Sequence, residues 1–577
     1  MENLKYSEIV KENRLNLDRV KNHKPIRIKI LSNIVTKQIE APLAFMLLES
    51  NIFPLIEFGN YDNIVQDSRD SGNQQVVIVH YDLVNILSKK LNFVENYTEV
   101  ELKELSDAII TEINFIIENL SDVPLIIFNT FSPLGVYSNS IKESKIDNLS
   151  QLLNQHLYSK QTNSLNIIDI NNIISRLGVP KVFNYKLFYL AKTLYSVTFW
   201  KEYALPISLL IRQVYGYGKK AILFDCDNTL WRGILGEDGF NGIDMSSQSG
   251  VGKIFSEVQQ IAVWLSRNGV IVGLCSKNNP EDVDKVFNDH SDIVLTFEDV
   301  VAKRINWHNK ADNIREIANE LNIGLDSILF VDDSSFEINL IKEQLPEVNT
   351  LQVPKEIDQY PQRLLTFINT NLYLSDNMQD RVKVRQYKAQ TERTKEYASH
   401  GSLESYLSAI NMRLLIKEDD QSQIERITQL TQKTNQFNLT TKRYTEKQIE
   451  NYLNSHLTKV FSASVADKFG DNGLTAIVIV ALESGTANID TFIMSCRIMG
   501  RTIEYAIMNY IVNYFCEAGI HFIEAEYRET AKNKPVSEFY EHCGFKIIES
   551  KQNKKKYRLE VNNFKQHEVG YISYENN

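Results

Sequence analysis

Ile222-Leu223-Phe224-Asp225-Cys226-Asp227-Asn228-Thr229-Leu230 sets two carboxylates two residues apart, directly after a short apolar run. Such a run, with an amphipathic helical pattern after it (residues 251–268), reads as a buried strand of a parallel α/β sheet. Ligands of such sheets bind at the carboxyl ends of strands, so both acids are expected at the reactive edge. Two carboxylates held there repel each other unless they share a cation. Mg2+, a hard ion that takes oxygen ligands, suits them. One aspartate can attack phosphorus while the other handles a proton, which splits one difficult step into two.

Three further features follow in order, each after an expected strand or at the start of a helix. Ser276 follows the run 270–275 and can hydrogen-bond a transferring phosphoryl group, as can Thr229 of the first motif. Lys310 opens a helix expected over 311–321 and can neutralise charge in the transition state. Asp332 and Asp333 follow the run 328–331 and can join Asp225 and Asp227 as metal ligands. About fifty residues separate the first motif from Ser276, and about thirty-four separate Ser276 from Lys310. The expected helices and strands use most of that length, leaving no room for a large cap over the site.

Outward from this core, runs at 26–31, 76–79, 123–128 and 167–170 alternate with helical patterns such as 99–120 and predict a second parallel α/β sheet. Beyond a polar, helical connector, the last region reads as α+β. It has an antiparallel meander (460–466, 474–481, 489–495) turning at 470–473 and at Ser484-Gly485, then a helix from Ile503, strands at 521–526 and 545–549, and a short helix between them. The expected boundaries are 1–215, 216–370, 371–402 (connector) and 403–577. A chain of 577 residues with 43% hydrophobic and 24% charged residues fits several globular domains. No run approaches the length of a membrane span, and no signal-peptide core follows Met1, so a cytoplasmic protein without a membrane partner is expected. The net charge of −10 gives no support for nucleic-acid binding. The basic run 551–558 reads as a strand edge or as a dock for an acidic partner. The five cysteines form no CxxC pair, so neither a zinc site nor a disulfide framework is indicated.

The constellation resembles the haloacid-dehalogenase superfamily, with Asp225 matching its nucleophile and Asp227 its general acid/base. More narrowly, DCDNTLWRGILGEDG (225–239), LCSKNN (274–279), FVDDSSFE (330–337) and LTQKTNQFNLTTKRYT (430–445) resemble the FkbH-like family. That resemblance implies an enzyme that takes a glyceryl unit from 1,3-bisphosphoglycerate, a small phosphorylated three-carbon metabolite. It would remove phosphate and load the acyl group on the phosphopantetheine thiol of an acyl carrier protein in polyketide-type biosynthesis. Residues 334–338 depart from the family's usual DDNPxER continuation. Cys275, just before Ser276, fits such chemistry as an acyl-accepting thiol, although alternate strand residues face opposite ways. Cys226 reads as a core residue.

The implied architecture has three parts. They are an N-terminal SGNH-like (flavodoxin-like) α/β domain, a central capless Rossmannoid domain of the dehalogenase type and a C-terminal α+β domain resembling the Gcn5-related N-acetyltransferases. In the last, Arg497, Gly500, Arg501 and Thr502 match a loop that binds coenzyme A or pantetheine, with Thr502 replacing a small residue. Asn533 and Tyr540 match its Asn…Tyr pair, Tyr540 being either the acid for a leaving thiolate or a core residue. The N-terminal domain reads as degenerate: Leu31-Ser32-Asn33 lacks the nucleophile's GDS context, Asp169-Ile170-Asn171-Asn172 lacks a DxxH histidine, and Asn129 stands alone. The competing reading is a phosphatase fused to an N-acyltransferase acting on a sugar or an amino acid.

Overall fold

Runs of Val and Ile that are apolar at every position belong in parallel sheets covered on both faces, and the computed structural model of the chain places them there. It describes residues 4–575 except 22, 72, 88–93, 136–143, 375–377, 399, 401, 484, 531 and 552. Two compact units result: Met1–Val214 with Gln421–Gln432 and Arg443–Asn454, and Tyr215–Asp420 with Lys433–Lys442 and Ser455–Asn577.

The first unit holds β1 (Ile26–Ser32), β2 (Pro54–Phe58), β3 (Val76–His80), β4 (Leu125–Asn129) and β5 (Leu165–Ile168). All pair in parallel in the order β2-β1-β3-β4-β5. Every residue of β3 and β4 is buried. β2, absent from the sequence reading, is an edge strand of half-exposed residues without a continuous apolar run. Ile170, expected to end a strand, instead opens the helix Ile170–Leu177 behind an Asp169 cap. The helix Glu99–Asn119, expected from its spacing, starts at a Thr98/Glu101 capping box.

The second unit contains two sheets. β6 (Ala221–Phe224), β7 (Ile271–Ser276), β8 (Val300–Ile305), β9 (Ile328–Asp332) and β10 (Asn349–Gln352) pair in parallel in the order β10-β9-β6-β7-β8. The expected helices appear as Gly252–Arg267 and Lys310–Glu320. β8 and β10 escaped the sequence reading because their sequences, VVAKRI and NTLQ, turn polar part-way or throughout. Between β6 and the helix at 252 stands only the four-residue helix Leu235–Asp238, and no further domain is inserted there.

The nine-stranded mixed sheet comprises β11 (Met412–Glu418), β12 (Phe437–Asn438), β13 (Thr458–Asp467), β14 (Gly470–Glu483), β15 (Thr486–Met494), β16 (Phe522–Arg528), β17 (Lys546–Lys551), β18 (Lys554–Glu560) and β19 (Ile572–Glu575). β12 pairs with β15, and the rest run β17-β18-β16-β15-β14-β13-β11-β19. β13, β14 and β15 form the expected meander, while β15 and β16 are parallel. The first turn is not at 470–473. Asp467 Oδ1 accepts from Phe469 N at 2.9 Å, the chain reverses at Lys468-Phe469, and Gly470 already pairs with Asp467. Of the second turn, Ser484 lies outside the described residues and Gly485 has φ +79°. The basic run lies on the β17–β18 hairpin, where Lys554, Lys555, Lys556 and Arg558 pair with Glu526, Glu541, Glu549 and Glu524, so its charge is largely answered. No helix among the described residues is long and apolar enough to cross a membrane.

Candidate active site

Asp225 continues β6 by donating its N–H to Val331 O at 2.9 Å, so its side chain leaves the sheet beside the end of β9. The chain then reverses sharply. Leu230 N reaches Cys226 O at 2.8 Å, Asn228 adopts φ +52°, and Asn228 Oδ1 accepts from Gly233 N at 3.0 Å, Gly233 itself having φ +100°. Asparagine and glycine are the residues that occupy this left-handed region at least cost.

Lys310 begins its helix behind an Asn309 cap. Its Nζ lies 2.8 Å from Asp225 Oδ1 and 2.6 Å from Asp332 Oδ2, and all three residues are buried. Burial alone would lower the lysine's pKa, but the two carboxylates outweigh it and raise it. Asp225, Asp332 and Asp333 each present a carboxylate oxygen within 4.8 Å of the others. Burial first, and then the Asp225 charge, push Asp332 up to about 7 and raise Asp333. One lysine among three crowded carboxylates leaves negative charge unanswered, and oxygen donors suit a hard divalent cation, so this donor set fits Mg2+.

Asp227 stands apart from that group, which corrects its assignment as a metal ligand through its carboxylate. Oδ1 accepts from Trp231 Nε1 at 2.9 Å and Leu235 N at 3.1 Å, and Oδ2 accepts from Asn278 Nδ2 at 2.9 Å. Burial nevertheless raises its pKa, against the pull of those donors. A carboxyl oriented by three donors, with a pKa that burial raises, is suited to proton transfer. Ser276 ends β7 on the same edge and is buried. The buried Thr229 hydroxyl has no partner. Trp231 and Asn278, inside the quoted strings, were not singled out by sequence because nothing in their spacing marks them as supports for Asp227.

Cys275 requires a correction. Its side chain is fully buried among Ala221, Leu223, Ala302, Ala311 and Ile314, with Sγ 3.8 Å from Lys310 O, and burial raises its thiol pKa well above normal. The strand alternation that turns Ser276 to the site turns Cys275 into the core, so the structure does not present its thiol on the reactive edge. Cys226 is buried in the core on the sheet's other side, as expected.

In the C-terminal sheet, two of the expected pantetheine contacts are used by the fold itself. Asn533 Oδ1 accepts from Thr530 N (2.7 Å) and Tyr527 Oη (3.1 Å), while its Nδ2 donates to Asn438 O (2.9 Å) and Arg528 O (2.8 Å). With its amide saturated, Asn533 locks β12 to the end of β16 rather than facing a ligand. Arg501 is buried against Asp467 (3.0 Å), Gln390 (2.7 Å) and Arg497 O (2.7 Å); Asp467 also takes a bidentate pair from Arg393. Gly500 (φ +79°) and Thr502 (φ +59°) shape the loop before the helix Ile503–Glu517, and Thr502 Oγ1 meets Tyr571 Oη at 2.6 Å. Arg497 Nε and Nη2 are buried without partners, and so is the Tyr540 hydroxyl. Tyr540 packs between Phe539, Phe545 and Tyr557, where burial raises its pKa well above normal.

In the first unit, Ser32 Oγ accepts from Ile34 N at 3.1 Å, Asn33 exchanges two hydrogen bonds with the Asp82 backbone, and Asn129 bonds both backbone groups of Tyr81. Asp169 Oδ1 caps its helix by accepting from Asn171 N at 2.9 Å. These side chains brace loops.

No family model matches the chain, and no curated protein matches it. Among solved structures, the N-terminal part of the Bacteroides fragilis protein BF1531, containing a phosphatase domain and complexed with Mg, superposes with a TM-score of 0.56 at 22% identity; the match covers 65% of this chain and all of that one. The Escherichia coli ribosomal-protein-S18-alanine N-acetyltransferase matches at 13% identity and TM-score 0.21, over 26% of this chain and 94% of its own. A Vibrio cholerae spermidine/spermine N-acetyltransferase matches at 16% identity and TM-score 0.21, over 26% and 94%. Over the matched 65%, this chain shares the fold of the phosphatase-containing Bacteroides protein.

Proposed function

We propose that the chain is a Mg2+-dependent phosphoryl-transfer enzyme with Asp225 as nucleophile. The observation that carries this is Lys310 Nζ set between Asp225 and Asp332, at 2.8 and 2.6 Å, at the carboxyl ends of adjacent strands. Asp225, Asp332 and Asp333 would hold the metal, which when bound shields the phosphoryl oxygens' charge from the attacking carboxylate. The Mg in the Bacteroides phosphatase structure supports this choice of ion.

Asp225 attacks phosphorus and becomes an aspartyl phosphate as the bond to the leaving oxygen breaks. Asp227, whose pKa burial raises, would give that oxygen its proton as general acid, then accept one from the water that releases phosphate. Lys310 balances charge on Asp225 and on the transferring group, and the Ser276 and Thr229 hydroxyls would donate to phosphoryl oxygens. Phosphate release that requires Mg2+ and disappears in Asp225→Asn is the expected result; release unchanged by that substitution would refute the reading.

The FkbH-like motifs favour a narrower reading, in which a glyceryl unit from 1,3-bisphosphoglycerate is delivered to a carrier-protein thiol. With Cys275 sealed in the core, the carrier's own thiolate would have to attack the carbonyl carbon of the acyl phosphate and expel inorganic phosphate, leaving Asp225 to remove the ester-linked phosphate. The C-terminal domain would hold the pantetheine arm through the loop at Arg497, Gly500 and Thr502, with the unpartnered Tyr540 hydroxyl as proton donor. Incubating the protein with Mg2+, 1,3-bisphosphoglycerate and candidate holo-carrier proteins tests it by carrier mass. Carriers that all gain nothing would leave phosphoryl transfer standing and remove the glyceryl step.

A further inference from the structure

The two loops that deliver Lys310 and the Asp332-Asp333 pair each carry a large aromatic side chain held out in solvent. Trp307, three residues before Lys310, is 73% exposed, and Phe336, four residues after Asp332, is 68% exposed. Side chains of this size are among the most valuable to bury, and neither adds to the core here.

Their supports are firm. The helices Lys310–Glu320 and Ser335–Gln344 pack against each other, so both aromatics stand at the same ends of neighbouring helices, on the carboxyl edge of the sheet. Ser334 caps the second helix and donates its N–H to Asp332 Oδ1 at 2.8 Å. Lys277, from the loop after Ser276, reaches across to Glu337 at 2.7 Å and ties a third active-site loop to the residue beside Phe336. The loop from β6 to the helix at 252 inserts no domain that could cover this edge.

We infer that Trp307 and Phe336 form the specificity-determining rim of the phosphoryl-transfer site. They would select phosphate esters whose leaving group presents a flat or extended apolar face. The phosphoryl group sits among charged and hydroxyl groups at Asp225, Ser276 and Lys310, so the leaving group is the part of the substrate that must emerge past the two loops. A three-carbon polar leaving group would leave both aromatic faces wet. The inference rests on the phosphoryl-transfer reading but not on the glyceryl step. The reaction balances without another reagent: Asp225 takes the phosphoryl group, the leaving oxygen departs with the Asp227 proton, and water returns inorganic phosphate.

The test compares 1-naphthyl phosphate with glycerol 2-phosphate, both with Mg2+, in the full chain and in the Trp307→Ala, Trp307→Phe and Phe336→Ala variants. The parent should favour the naphthyl ester in kcat/KM. Each alanine variant should raise KM for it about five- to tenfold with kcat unchanged, as loss of one aromatic contact implies, and Trp307→Phe should recover most of the difference. Glycerol 2-phosphate turnover should be the same throughout. Equal kinetics for all four proteins on both esters would overturn the inference. If no protein releases phosphate, the phosphoryl-transfer reading fails instead. The rim is then judged by calorimetry of 1-naphthyl phosphate on the Asp225→Asn chain: binding weakened by Trp307→Ala supports it, and binding indifferent to that change removes it.

Discussion

β1–β5 and β6–β10 are both parallel sheets in which the chain doubles back, between β1 and β3 in one and between β6 and β9 in the other. Crevices at such points are where α/β folds bind ligands. In the first sheet the loop groups at that point pair with one another, although both ring nitrogens of His80 beside them are buried without partners. Asn33 and the Asp82 backbone exchange two bonds of 2.8 Å, Asn129 brackets Tyr81, and Tyr195 Oη donates to Asp82 at 2.6 Å. His80, at the end of β3, is enclosed by Tyr195, Phe199, Trp200 and Tyr203. In the second sheet the corresponding position holds three crowded carboxylates and one lysine. Paired loop groups around an uncharged histidine make a scaffold, whereas uncompensated charge leaves a site that needs a ligand.

The largest expected effect separates the two edges by activity. Asp225→Asn should lower phosphate release by about three orders of magnitude or more, since it removes the attacking oxygen. Asn33→Ala should leave the rate within about twofold. A rate that fell equally in both would erase the distinction.

Next in size is a pH effect confined to the first sheet. Burial lowers the His80 pKa from 6.5 to about 3, so the unfolded chain takes up that proton first, and stability is lost as pH falls between those values. Asp82 acts oppositely. Burial raises it from 3.8 to about 6, so its protonation restores stability between about 6 and 3.8. His80→Phe should abolish the first effect and keep the second. From pH 7 to 3 the variant should therefore gain on the parent by about 3–5 kcal/mol, on the scale of 1.36 kcal/mol per pKa unit. Hydrogen exchange of β3 and β4 amides would measure it, and parallel pH profiles would exclude a buried neutral histidine. Asn33→Ala, which strips two buried backbone groups of their partner, should cost about 2–3 kcal/mol in the same measurement.

Sequence revealed the second edge better than the first for a physical reason. Asp225, Ser276 and Asp332 follow runs of Val, Ile, Leu and Phe, and Lys310 opens an amphipathic helix; short apolar runs ending in a polar residue, and helical spacing, are visible in one dimension. The brace at the first edge joins Asn33 to Asp82 and Tyr195, residues far apart in sequence whose types are common in loops. The edge strands β2 and β10 were hidden because half-exposed strands need no apolar run. A motif letter could not show side-chain direction in the C-terminal sheet: Arg501 turns to Asp467, which leaves the loop's backbone N–H groups for a ligand, and Asn533 turns to four protein partners. Asp227 was placed on the correct edge, but its orientation depends on Asn278 and Trp231, which only the folded chain brings to it.

Cys275 supplies the smallest effect and the finest distinction, because it lies within the active sheet yet is packed as a core residue. Its neighbour Ser276 shares the strand end, so one residue of register decides between the catalytic edge and the interior. Cys275→Ala removes one buried sulfur from a cluster of alanines, leucines and isoleucines and should cost about 1–2 kcal/mol in denaturant unfolding. Phosphate release should stay within about twofold of the parent, whereas Ser276→Ala should lower it at least tenfold by removing a phosphoryl donor. The native thiol should also resist alkylation until the second unit unfolds, since its raised pKa and burial leave almost no accessible thiolate. Rapid alkylation of Cys275 in the folded chain, with loss of activity in step, would place the thiol on the catalytic edge and restore a covalent acyl relay.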